Sequence, residues 1–178
     1  GIRLTSGAEL EADVVVTATG LQLLFLGGIS LTVDGETVNP ADHLTYKGMM
    51  LEGVPNLAIA IGYTNASWTL KCDLTCDYVC RMLNHMHEHG FVECVARNRD
   101  DAALDETMLG LTSGYIQRSA HLLPKQGAHY PWRVHMSYLR DYRALKMSSV
   151  DDGFMEFSGP PAVAAPTTRA TDELAVVS

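Results

Sequence analysis

Positive charge is scarce in this chain of 178 residues, which has 13 lysines and arginines against 21 aspartates and glutamates. The formal net charge of −8 repels phosphate backbones and argues against nucleic-acid binding. Long apolar runs are also missing. The stretch from Leu21 to Ile29 contains two glycines and is far shorter than the roughly 20 residues that a membrane-spanning helix needs. We therefore expect no transmembrane or signal segment.

The sequence also lacks the Gly-x-Ser-x-Gly segment that presents a nucleophilic serine between a strand and a helix. Ser67 has neither that context nor an obvious partner histidine, so hydrolysis is not supported. Gly1 is no natural start, and the first residues indicate half of a hairpin. We expect the chain to be truncated at its N-terminus.

Cys72, Cys76 and Cys80 follow one another at four-residue spacing, which could suggest a metal site. On a helix, however, Cys72 and Cys76 share a stripe with three apolar residues, Val79, Leu83 and Met86. We expect these thiols to pack in the core, with metal binding and redox sensing as alternatives. Disulfides are not implied, and a reducing cytoplasm fits best.

Three histidines, His85, His87 and His89, alternate near the end of the same predicted helix. Only His85 and His89 share a face, and a third metal ligand is not evident. Histidines in a last helical turn have a simpler role beside the negative end of the helix dipole. We predict no metal site.

The most informative segment, residues 55–70, predicts a buried strand that leads into a long helix. Every residue from Leu57 to Ile61 is apolar, as in a parallel strand covered on both faces. Gly62 would let the backbone approach a ligand closely. Asn65 and Ser67 are good N-cap residues, so the free N–H groups of the next turn would point at whatever lies above the sheet edge.

Further strands and turns are indicated by apolar runs between glycines. Residues 2–4 and 9–11 flank a short turn, and Val14 to Ala18 indicates a buried strand that ends at Gly20. We predict that a loop region with a hairpin at Asp34-Gly35 follows, with Leu44, Met49 and Met50 packed beneath it.

Helical patterns cover Ser67 to His89, Asp101 to Leu109 and Ser137 to Met147, and Gly90 is a plausible end of the first. From Ser148 onward the chain is rich in proline and alanine and carries five acidic residues against one arginine. Such a segment can bury little to offset the entropy of ordering it, so we expect disorder over 148–178.

Several motifs resemble flavin-containing monooxygenases of the Baeyer–Villiger type. Residues 55–70 and the following helix resemble their C-terminal part, and Ala-Asp-Val-Val-Val-Thr-Ala-Thr-Gly at 12–20 resembles a strand and turn of that family. Ser-Gly-Tyr-Ile-Gln-Arg at 113–118 and Leu-Pro-Lys-Gln-Gly at 123–127 resemble the ethionamide-activating branch. The resemblance runs from about residue 3 to residue 147.

This resemblance implies an α/β fold, the C-terminal portion of a Rossmann-like flavoprotein with two dinucleotide-binding domains. Residues 1–20 would end the nicotinamide-nucleotide domain and form the crossover strand. Residues 21–147 would be the C-terminal part of the FAD-binding domain with a helical extension, and 148–178 the disordered tail.

The implied cofactors are FAD and NADPH, but neither Gly-x-Gly-x-x-Gly fingerprint occurs here. The catalytic residues would lie N-terminal to this segment, so the isolated chain is expected to be inactive. Gly62, Asn65, Ala66 and Ser67 would contact the flavin, unless the turn only caps a helix. Trp132 would cover the nicotinamide, with core packing as the alternative.

The implied function is that of an FAD- and NADPH-dependent monooxygenase that inserts one oxygen atom into ketones or oxidises sulfur-containing small molecules. This chain would supply the C-terminal part, and its partner would be the N-terminal remainder of the same polypeptide. The competing hypothesis is a non-catalytic remnant or accessory module that keeps the fold elements without binding a cofactor.

Overall fold

A computed structural model describes residues 1–99, 103–110 and 113–160 of the chain. They form one long helix, several short helical turns and small antiparallel sheets. The strands are β1 Ile2–Arg3, β2 Glu9–Leu10, β3 Leu31–Val33, β4 Glu36–Val38, β5 Thr45–Tyr46, β6 Met50–Leu51, β7 Glu93–Ala96, β8 Ala103–Thr107, β9 Lys125–Gly127 and β10 Met155–Ser158.

All five strand pairs in the described residues are antiparallel: β1 with β2, β3 with β4, β5 with β6, β7 with β10 and β8 with β9. The hairpin predicted at Asp34-Gly35 is confirmed, because both turn residues have positive φ, 51° and 88°. The only parallel pairing described is an isolated bridge between Leu44 and Lys125. The expected parallel sheet is thus absent from this part of the molecule.

The long helix α1 spans Trp68–His89, which confirms the predicted helix, and it ends at Gly90 in the left-handed conformation with φ 70°. Helix α2 spans Gly114–Arg118, and α3 spans Tyr138–Asp141 before continuing as a π-helical stretch, Tyr142–Met147. The helix predicted over 137–147 is therefore confirmed. Single 3-10 turns occupy Phe25–Gly28, Pro40–Asp42 and Ala120–Leu122. None of the described helices is long and apolar enough to cross a membrane.

The core lies between α1, the β5–β6 hairpin, the β7–β10 pair and the end of the π-helical stretch. Leu44, Met49 and Met50 are buried there, which confirms their predicted burial but places them in the main core. Trp132 fills the centre and makes edge-on ring contacts with Tyr46 and Phe154. The burial of apolar side chains at this junction holds the start of α1 in position against residues 130–148.

The prediction that the cysteine stripe faces the core is wrong for Cys76 and Leu83, whereas Cys72 and Val79 are half-buried and Met86 is buried. The buried face of α1 consists of Lys71, Leu74, Thr75, Tyr78, Met82 and Met86. Cys76 and Cys80 are exposed, and Leu83 is 56% exposed. The aromatic and methionine side chains offer more apolar surface than the thiols, so they decide which face is buried.

The buried strands predicted at 14–18 and 57–61 are not formed. Val14 and Val16 are 78% and 85% exposed, and residues 57–61 alternate between half-buried and exposed positions. The amide of Ile59 donates to the Met49 carbonyl at 2.7 Å, but no strand pairs with either segment within the described residues. A strand needs a neighbour to accept its backbone hydrogen bonds, and neither segment has one here.

Two further expectations fail. Within the predicted helix 101–109, residues Ala103–Thr107 form β8 instead, and 101 and 102 lie outside the described residues. The expected loss of order at Ser148 is wrong for 148–160, because β10 pairs with β7 and Met155 is buried. The rest of the expected tail, 161–178, lies outside the described residues.

Candidate functional site

Gly62 is buried and lies directly against the first residue of α1. A Cβ atom placed on Gly62 would lie 2.3 Å from two ring atoms of Trp68 and 2.6 Å from its Cα. Contacts this short do not occur in folded proteins, so any side chain here would displace the helix entry. The missing side chain of Gly62 therefore admits Trp68.

The turn between Gly62 and α1 is exposed from residue 64 to residue 67. Ser67 occupies the N-cap position but makes no side-chain hydrogen bond to the helix backbone, and its Oγ instead bonds Thr69 Oγ1 at 3.0 Å. Because the first turn of a helix has no internal acceptors for its N–H groups, these donors face outward at the positive end of the dipole. The arrangement can receive a polar or anionic group.

Asn65 ties this turn to a second segment. Its side-chain amide donates to the Met136 carbonyl at 3.1 Å, which links residues 65 and 136 across the surface. Ala66 lies between Asn65 and the N-cap and is exposed. Three of the predicted flavin residues, Asn65, Ala66 and Ser67, thus form one exposed turn.

Trp132 lies in the core, where its side chain is fully buried. Its indole N–H has no hydrogen-bond partner among the described residues. To cover a nicotinamide, Trp132 would have to leave this buried position. The structure has Trp132 packed in the core, which is the alternative given in the sequence analysis.

A buried polar network surrounds Lys47, a residue that the sequence did not single out. The Lys47 ammonium donates to Tyr78 Oη at 2.9 Å and pairs with Asp152 at 3.0 Å. Tyr46 Oη donates to the same Asp152 oxygen at 2.7 Å. Burial lowers the pKa of Lys47, and burial together with Tyr78 raises that of Tyr46. The network joins the β5–β6 hairpin to α1 and to residue 152.

A second buried lysine, Lys71, lies one turn into α1. Its ammonium is 3.4 Å from Asp141 Oδ2 and faces the Tyr63 ring at 5.4 Å. Asp141 Oδ2 is itself buried and makes no hydrogen bond with any described residue. Burial first, and the nearby Asp141 carboxylate second, raise the pKa of Tyr63.

Helical periodicity could have identified Lys71. The buried residues Leu74, Thr75, Tyr78 and Met82 follow it at spacings of 3, 4, 7 and 11, so Lys71 belongs to the inner stripe of α1. A charged residue on an inner stripe needs a partner of opposite charge. The burial of Lys47 could not be predicted from periodicity, because Lys47 lies in the tight β5–β6 turn with φ 50°.

Comparison with known proteins shows close sequence relatives. The chain is 48% identical over 158 residues to a probable FAD-binding monooxygenase, AlmA, of Acinetobacter baylyi, which covers 88% of this chain. It is 47% identical over 162 residues to the FAD-containing monooxygenase EthA of Mycobacterium tuberculosis, covering 91% of the chain. It is 48% identical over 159 residues to the putative FAD-containing monooxygenase MymA of the same species, covering 89%.

The chain spans about a third of the length of these curated relatives, namely 32%, 33% and 32%. No family model matches the chain. No solved structure matches it either. The homologues are thus FAD-containing monooxygenases, and the matched region is a part of each.

Proposed function

We propose that this chain is the C-terminal part of an FAD- and NADPH-dependent monooxygenase of the Baeyer–Villiger type, in the ethionamide-activating branch. The whole protein would insert one oxygen atom into ketones or oxidise sulfur-containing small molecules. The observation that carries the proposal is the identity of 47 to 48% to FAD-binding or FAD-containing monooxygenases along nearly the whole chain.

The exposed turn at residues 64–67 would contact the flavin. The Ser67 hydroxyl bonds a side chain rather than the helix backbone, so the N–H groups of the first turn of α1 keep their capacity to donate. Asn65, Ala66 and Ser67 would hold the pyrimidine side of the flavin ring. Gly62 would act indirectly, because its missing side chain lets Trp68 set the position of the turn.

Bound FAD would supply the redox chemistry, taking electrons from the nicotinamide and passing them to molecular oxygen. The contribution of this chain would be electrostatic. The positive end of α1 and its outward N–H groups favour negative charge on a group held beside them. Asn65 would keep the turn in place through its bond to Met136.

The wider assembly follows from the same proposal. Residues 1–20 would end the nicotinamide-nucleotide domain, and 21–147 would complete the FAD-binding domain. The exposed valines at 14–16 would then pack in the Rossmann-like sheet built mainly by the N-terminal remainder of the polypeptide. The four cysteines are free thiols, in keeping with a reducing cytoplasm.

The test uses the full-length protein and, as a comparison, the 178-residue chain. The full-length protein should carry stoichiometric FAD and oxidise NADPH when a ketone or an organic sulfide is supplied. With ¹⁸O₂, one labelled oxygen atom should enter the ester or sulfoxide. The chain alone should be colourless and inactive, because it lacks both phosphate-binding loops.

A full-length protein that binds no flavin would contradict the proposal and favour the non-catalytic module. Label from H₂¹⁸O rather than from ¹⁸O₂ would also contradict it, since the oxygen atom would then come from hydrolysis or exchange.

A further inference from the structure

A cavity of about 440 Å³ opens between α1, the loop at 130–135 and the helical segment at 140–148. Its lining is rich in cationic side chains, although the chain as a whole is acidic. Five of the 13 lysines and arginines line it: Lys47, Lys71, Arg133, Arg140 and Arg143. Among the described residues, Asp141 is the only carboxylate in the lining.

The two lysines are deep in the wall, and their ammonium groups are almost completely buried. A buried ammonium is costly unless anions surround it. Lys47 has Asp152 at 3.0 Å, whereas Asp141 is the one carboxylate that pairs with Lys71 among the described residues. That N···O distance of 3.4 Å is longer than a charge-assisted hydrogen bond of about 2.7 to 2.9 Å. Lys71 thus keeps unused donor capacity.

The acceptor of the same pair, Asp141 Oδ2, is buried and has no hydrogen bond of ordinary geometry in the described part of the chain. The Tyr63 hydroxyl, which is also buried and unsatisfied, is a donor available to it, and after burial, hydrogen bonding with Asp141 contributes to the raised pKa of Tyr63. The carboxylate can thus be satisfied within the protein, whereas the spare donor capacity of Lys71 faces the cavity.

Three arginines also line the cavity. Arg133 pairs with Glu106 at 2.7 Å, but Arg140 and Arg143 have no carboxylate partner among the residues that the structure describes. Arg140 donates instead to Nδ1 of His135 at 3.2 Å. Burial and the neighbouring Arg140 charge lower the pKa of His135, as expected in a field of positive potential.

The remaining wall is apolar, formed by Val134, Ala144 and Leu145 beside the Tyr130 ring. A cavity of this volume lies within the range of sites for small organic ligands, roughly 300 to 1,000 Å³. One part of the cavity wall is therefore cationic and another part is apolar.

We propose that this cavity binds a small organic anion, with a carboxylate or phosphate group between Lys71, Arg140 and Arg143 and an apolar part against Val134 and Leu145. The cavity adjoins the turn at 64–67, because Lys71 lies one turn after the N-cap Ser67. The proposal does not depend on the proposed redox function.

The test is calorimetric titration of the full-length protein with phenyl phosphate and with benzoate, which distinguish a phosphate from a carboxylate source. Benzyl alcohol is the neutral control of similar shape. At least one anion should bind in a 1:1 complex, and benzyl alcohol should bind at least tenfold more weakly. Equal binding of benzyl alcohol, or no saturable binding of either anion, would overturn the proposal.

Variants assign the binding to this cavity. Arg140→Gln combined with Arg143→Gln should weaken anion binding about tenfold or more, because two charged donors are lost. The double Arg→Lys variant should keep most of the affinity. Lys146→Gln, which removes the same kind of charge outside the lining, should change affinity less than twofold. Both arginines are exposed, so the double Gln variant should still fold. If that variant binds the anion as tightly as the unaltered protein, the anion binds elsewhere and the assignment is refuted.

Discussion

Lys71 Nζ lies 3.4 Å from Oδ2 of Asp141 and joins the first turn of α1 to the end of α3 through a buried pair of opposite charges. Both side chains are at least 88% buried. The pair therefore fixes the helix entry relative to the loop that follows Trp132. Removing either charge alone would leave the other buried and unpaired, which lowers the stability of the fold.

Lys71→Met should lower the free energy of unfolding by roughly 3 kcal/mol or more, because it leaves the Asp141 carboxylate uncompensated. Lys71→Met combined with Asp141→Leu should lose much less than the sum of the two single changes. Denaturant unfolding of the four proteins in this double-mutant cycle gives the coupling. Additive losses would mean that the two charges do not interact.

Gly62→Ala should destabilise the protein by about 1 to 3 kcal/mol, because the new Cβ would overlap Trp68 at 2.3 Å. The Trp68 indole N–H signal should shift in the NMR spectrum as the helix entry moves. Gly159→Ala is the matched control, since its Cβ would have its closest contact at 3.9 Å. Equal stability of the two variants would show that the turn has room for a side chain.

His135 should titrate below its ordinary pKa of 6.5, because of burial first and the Arg140 charge second. A histidine with a lowered folded-state pKa binds its proton less readily than the unfolded chain does. Its contribution to stability is therefore full above pH 6.5 and is lost as pH falls from 6.5 to the folded-state pKa. NMR titration of the His135 ring should show this lowered pKa.

Arg140→Gln should raise that pKa part of the way back, since it removes the charge but not the burial. His135→Gln should remove the corresponding part of the pH dependence of unfolding. An unchanged His135 titration in Arg140→Gln would show that the arginine is not close to the ring in solution.

Ala66→Asp in the full-length protein should oppose negative charge on a reduced flavin and slow its reduction by NADPH. Helix-end interactions of about 0.3 to 2 kcal/mol correspond to effects from less than twofold to about thirtyfold on the reduction equilibrium. Stopped-flow reduction and a redox titration measure both quantities. Asn84→Asp adds the same charge at an exposed position near the other end of α1 and should leave both unchanged.

If Ala66→Asp retains its flavin and reacts like the unaltered protein, the turn at 64–67 is only a helix cap. Loss of flavin from Ala66→Asp but not from Asn84→Asp would still place the turn beside the cofactor. Asn84→Asp is the control for the change in net charge.

Local patterns predicted the long helix, its end at Gly90 and the hairpin at Asp34-Gly35. These patterns failed where the secondary structure depends on pairing with another segment of the chain. Residues 57–61 have the composition of a buried strand but have no neighbouring strand in the described part of the chain. Ala103–Thr107 pairs with β9 although its sequence suggests a helix. Pairing over long sequence separations overrides local propensity.

The sequence by itself determined the helix α1, its N-terminal turn of small polar residues and the acidic balance of the chain, because each depends on neighbouring residues or on composition alone. Only the tertiary structure decided which face of α1 is buried, that Trp132 fills the core, and that five cationic side chains from distant segments meet at one cavity. Lys47 and Asp152 are more than 100 residues apart and 3.0 Å from each other. Such a contact exists only once packing has brought the segments together, since nothing in the local sequence of either residue encodes the other.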